Sequence, residues 1–92
     1  MDISFDPKKN ERNIATHGLS FERAAEFDFA TASYDVDDRR EYGETRYTAV
    51  GFLGERLHVL CFVDVADGIR VISFRKANQR EVRNYAKTQA TD

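Results

Sequence analysis

Residues 56–76 read RLHVLCFVDVADGIRVISFRK. The first ten carry large apolar side chains at odd and even positions alike. A strand of that kind is buried on both faces and lies in the middle of its sheet. Asp67-Gly68 is a hairpin turn signal. The return run, IRVISFRKA, alternates with a period of two, so Ile72 and Phe74 are expected to face one layer. Val71, Ser73 and Arg75 are expected on the opposite surface.

The flanking segments extend this pattern in both directions. TRYTAVGF is a strand joined to the central one by the tight turn LGE. FATASYDV is a further strand, closed by the polar turn DDRREYGE. At the N-terminus DISF is a short strand. Asp6 then caps a helix with Pro7 at its first position, and Gly18 stops it after His17. Asn10, Asn13, Ile14 and His17 share one face of that helix. Ser20 caps a second, shorter helix with Phe21, Ala24, Ala25 and Phe27 inward. After the last strand, Asn78 and Glu81 have capping-box spacing. Val82, Tyr85 and Ala86 form the inward face of the final helix, and TQATD is its frayed end. Helices at the ends and strands in the middle predict an α+β fold, with an antiparallel meander of three to four main strands.

The 92 residues, 41% hydrophobic and 33% charged, suit one soluble globular domain spanning 1–92. A chain this short buries a modest share of its surface, so a bound partner adds usefully to its stability. Cys61 is the only cysteine, which excludes an internal disulfide. No apolar run is long enough to span a membrane, and MDISFDPKKN is not a secretory leader. A cytoplasmic location is expected. The net charge of -2 is unevenly spread. Residues 70–87 hold Arg70, Arg75, Lys76, Arg80, Arg83 and Lys87 against Glu81 alone, a surface that can meet phosphate. Residues 26–44 hold seven carboxylates against Arg39 and Arg40, a surface that can meet a basic partner.

Three motifs resemble the BrnT toxin family: FDPKKNERNIATHGLSFERA, then GETRYTAVG, then RVISFRKANQREVRNY. Together they cover about residues 5–85. Phe5 stands where the family usually has Trp, and Thr16 where a basic residue is common. The resemblance implies a ribonuclease toxin of a type II toxin–antitoxin pair with a fold similar to the RelE toxins, whose RNA cleavage inhibits translation and growth. It implies a small DNA-binding antitoxin, BrnA, which covers the toxin and represses the operon with it. Operator DNA is then met only through that complex. A toxin dimer within it is left open.

Metal-independent RNA cleavage needs a base for the 2′-hydroxyl, cations for the phosphate and an acid for the leaving oxygen. Arg75, at a strand end, is the first phosphate candidate, since its planar fork pairs with two oxygens. Arg46, just after Gly43-Glu44, is the second. Arg80 is the third: in the first turn of a helix it opposes the dipole, so helix stability does not explain it. Glu44 is the candidate base, with orientation of an arginine as its structural alternative. His17, ending a helix, is the candidate imidazole, and His58 is expected to be packed in the central strand. Lys8, Lys76, Arg83 and Tyr85 are candidate RNA contacts, although the spacing of Tyr85 with Val82 also fits core packing. No metal site or cofactor is expected, because the chain has no Cys/His ligand spacing and no glycine-rich phosphate loop. The competing class is a non-catalytic module that binds nucleic acid or an acidic protein segment. A proton-transfer group within reach of the arginines separates the two.

Overall fold

The structure, a computed structural model, describes residues 1–90. In chain order it comprises β1 (Asp2–Ser4), α1 (Pro7–His17), a 3₁₀ turn (Phe21–Glu26), β2 (Ser33–Asp37), β3 (Arg46–Leu53), β4 (Arg56–Val65), β5 (Gly68–Lys76) and α2 (Gln79–Ala90). The fold is α+β, with one sheet in the order β1-β5-β4-β3-β2. β2 to β5 form the expected antiparallel meander, with β4 at its centre.

The sheet has five strands and is mixed, which corrects the antiparallel expectation. β1 pairs in parallel with the start of β5, Asp2 opposite Gly68 and Ser4 opposite Arg70. Three residues carry too little alternation to announce their direction. Gly68 is what admits them: a Cβ there would lie 2.0 Å from the Asp2 carbonyl oxygen.

The core fills one face. Phe21, Ala24 and Phe27 pack on Ala49, Leu60, Phe62, Ile69, Val71 and Phe74. Val71 therefore faces the core, against expectation. A bulge between Cys61 and Phe62 sets Phe62 opposite Val71 and Cys61 opposite Ser73, so Ile72 is passed over. One extra residue resets the alternation. Ser73 and Arg75 keep the opposite face, and Phe74 is fully buried as expected.

α1 is fastened by amides rather than by apolar side chains; Asn13 is its one buried residue and Ile14 lies exposed. β1 stops at the level of Arg70, so β5 has a bare edge beyond it. The Asn13 side chain satisfies that edge, donating to the Phe74 carbonyl at 2.7 Å and accepting from the Phe74 N–H at 3.3 Å. It also donates to the Leu19 carbonyl at 2.9 Å. Gly18, at φ 67°, turns the chain toward Leu19.

Further corrections are local. The second helix is a 3₁₀ turn with Ala25 exposed. Residues 28–32 do not join β2, because Asp28 folds them into a turn by accepting from the N–H groups of Ala30 and Thr31. α2 has the predicted reciprocal cap, Glu81 N–H to Asn78 and Asn78 N–H to Glu81, both 2.8 Å. Only Tyr85 of its expected inward face is buried, resting with Ala77 on Leu57 and Val59. Thr88–Ala90 are helical rather than frayed, and the rest of TQATD lies outside the described residues. Among the described residues no helix is long and apolar enough to cross a membrane.

Candidate active site

The face of the sheet opposite the main core is only partly covered by α2. On it lies a cleft of about 460 Å³, walled by Asp35, Asp37, Asp38 and Arg39 on one side and by Ser73, Arg75, Arg80 and Glu81 on the other. Thr48, Val59 and Cys61 line it between them. Strand alternation explains this set. Asp35, Thr48, Cys61 and Ser73 are register partners across β2 to β5, so their side chains project from one face.

Arg75 and Arg80 meet in this cleft. The Arg75 guanidinium donates to both Glu81 oxygens at 2.9 Å. That contact holds the arginine charged and pulls the Glu81 carboxyl below its ordinary range. Arg80 is exposed and makes no hydrogen bond or ion pair among the described residues. Asp35 is likewise exposed and unpaired, on β2.

Glu44 and Arg46 form a second group. Glu44 accepts from Arg70 at 2.6 and 2.7 Å and from Arg46 at 3.3 Å. These bonds, Arg70's first, lower its pKa. The Arg46 guanidinium carbon lies over the Tyr42 ring, 4.0 Å from its centroid. Register separates this group from Arg75. Arg75 is level with Val50 through Val59, and Arg46 lies four residues further along β3. That is roughly 13 Å along the strands and roughly 10 Å across them. Asp35, three strand spacings from Ser73, is no nearer along the backbone, but it lines the cleft of Arg75 and Arg80 and is unpaired, whereas Glu44 is bonded to Arg70 and Arg46.

The remaining candidates lie elsewhere. His17 and Lys8 sit on α1. His17 is exposed in a shallow cleft with Lys9, Arg12, Thr16 and Ile72. His58 is buried on the core face, 5.6 Å from the Phe74 ring, and burial lowers its pKa. Tyr85 is committed to packing: its hydroxyl donates to the Thr31 carbonyl at 2.9 Å and its ring meets Phe52 edge-on. Lys76 and Arg83 are exposed. Cys61 is buried, and burial beside Asp37 raises its pKa, which leaves the thiol protonated and unreactive.

Sequence reading assigns no individual site role to Asp37, Arg39, Arg40, Tyr42 or Arg70, although Arg70 belongs to the basic surface and Arg39 and Arg40 to the acidic segment. Asp37 is almost wholly buried and accepts from Arg39 at 2.8 and 2.9 Å and from the Tyr42 hydroxyl at 3.2 Å. Chiefly because of Arg39, its pKa falls to about 2. The signal was present in DDRREY, where Asp37 and Arg39 are two apart, but the segment read as a solvated acidic turn.

No curated protein matches the chain. Residues 5–81 match the sequence model described as "Ribonuclease toxin, BrnT, of type II toxin-antitoxin system". That span takes in all but the N-terminal residues and most of α2, including both arginine groups, and the chain belongs to the BrnT family of ribonuclease toxins.

Proposed function

We propose that this chain is a metal-independent endoribonuclease whose chemistry takes place in the cleft of Arg75 and Arg80. The observation that carries the reading is that these two arginines and the unpaired Asp35 line one cleft. Asp35 takes the proton from a 2′-hydroxyl. The 2′ oxygen attacks phosphorus, and the bond to the 5′ oxygen breaks as solvent in the open cleft supplies that oxygen with a proton. The products are a 2′,3′-cyclic phosphate and a 5′-hydroxyl. Arg75 and Arg80 bind the extra negative charge of the transition state more strongly than the ground-state phosphate, which is what lowers the barrier. A carboxylate is a weak base at neutral pH, so the rate is modest. Glu44, held by two arginines, acts as a positioning residue for Arg46 rather than as the base.

A type II system pairs its toxin with a protein antitoxin. In our reading a BrnA-like antitoxin covers this cleft in the cytoplasm, operator DNA is bound through that complex, and the single domain follows the RelE plan. Induced expression in bacteria tests the function. Wild type should degrade RNA and arrest growth, while Arg75→Ala and Asp35→Asn should not. Intact RNA with folded wild type would remove the reading.

A further inference from the structure

The charges of the cleft nearly cancel. Arg39 is paired with Asp37 and Arg75 with Glu81, which leaves Arg80 against Asp35 and Asp38. Such a cleft can stabilise a transition state, but it has little net charge with which to hold a polyanion. The affinity must come from beside it.

Arg39 is shared with a second pocket of about 340 Å³, lined by Arg39, Arg40, Tyr42 and Arg46. Among the described residues no carboxylate lines it. Its parts are fixed from beneath. Arg39 uses its Nε and Nη2 edge on buried Asp37, and 80% of its side chain remains exposed. Arg46 gives its Nε to Glu44 and is clamped over Tyr42. Tyr42 is itself tied to Asp37. Arg40 makes no hydrogen bond or ion pair among the described residues. Three guanidiniums thus face one space, two of them oriented in advance by carboxylates outside it. Forked donors so arranged fit a phosphate group, whose oxygens can accept from several at once.

We propose that the pocket of Arg39, Arg40, Tyr42 and Arg46 is a phosphate subsite of the RNA groove, holding a phosphodiester that flanks the one bound at Arg75 and Arg80. This rests on the ribonuclease reading and extends it. Arg39 lines both spaces, so the strand runs from the cleft past Arg39 into the pocket. Tyr42 holds a guanidinium on its ring and acts as a support for Arg46.

The test uses the full chain and a labelled single-stranded RNA hexamer methylated at every 2′ oxygen, which cannot be cleaved. Arg40→Ala removes an unpaired side chain and leaves the fold intact; Arg23→Ala removes an equal charge from the exposed face of the 3₁₀ turn, outside both arginine groups, and serves as control. Arg40→Ala is expected to weaken binding roughly tenfold. It should also lower the slope of log affinity against log salt by about 0.7, the loss of one phosphate contact. Arg23→Ala should match wild type. An Arg40→Ala protein that behaves like the Arg23→Ala control overturns the subsite. So does one that keeps RNA affinity but loses affinity for a poly-glutamate peptide, which would assign the pocket to an acidic protein partner. Cleavage of unmodified RNA by wild type tests the ribonuclease reading separately.

Discussion

Arg75 and Glu81 are joined by two hydrogen bonds of 2.9 Å, and the same Glu81 carboxylate accepts the Asn78 N–H at the start of α2. One side chain therefore fastens the end of β5 to the first turn of the last helix. It also fixes the plane of the guanidinium that we assign to the reacting phosphate.

Glu81→Gln keeps an acceptor for the Asn78 N–H but removes the charge. Both partners are partly exposed, so the ion pair is screened. The variant is expected to lose about 1 kcal/mol in urea unfolding. Its affinity for non-cleavable RNA should rise a few-fold, because the cleft, whose carboxylates outnumber its arginines by one, becomes neutral. Unchanged stability together with unchanged affinity would show that the pair has neither role.

Acid titration tests the buried anchor. Asp37 falls from an ordinary 3.8 to about 2 in the folded state. A depressed carboxylate stabilises the fold at pH values above its unfolded pKa, and that contribution disappears as pH falls through the folded one. Asp37→Asn should therefore be less stable than wild type at pH 7, with the gap closing between pH 3.8 and about 2. Urea unfolding at pH 7, 4 and 2.5 measures it. A gap constant across that range would remove the charge as the cause.

Asn13→Ala strips partners from the Phe74 N–H and carbonyl and from the Leu19 carbonyl. Buried polar groups left unpaired are costly, and the expected loss is about 3 kcal/mol. For a domain of this size that lowers Tm by roughly 10 to 20 °C. Hydrogen exchange at the Phe74 amide should quicken by more than exchange in β4. A loss under about 1 kcal/mol would mean that water replaces the side chain.

The central hairpin was legible because residues 57–63 offer no polar face: any strand built from them must be internal. The capping box was legible because Asn78 and Glu81 act within one helical turn. Val71 was misread because a bulge is a property of two strands and leaves no mark in either alone. The place and direction of β1 in the sheet were not legible because three residues in parallel pairing depend on the space beside Gly68. In the site, Arg75 and Arg80 could be brought together because strand end and helix start are contiguous. Asp35 could not be placed beside them, since three strand spacings of sheet lie between it and Ser73. The Arg39–Asp37 clamp was hidden by the surrounding carboxylates, which made the segment look uniformly acidic.

The most direct test of the central claim is cleavage of a single-stranded RNA by the purified chain in excess chelator, with the product ends identified. The account predicts 2′,3′-cyclic phosphate and 5′-hydroxyl ends from wild type. It predicts a rate at least about 100-fold lower for Arg75→Ala, the scale for removing one transition-state donor. Cleavage that requires added metal and leaves 3′-hydroxyl ends would contradict it, as would an Arg75→Ala protein that cuts as fast as wild type.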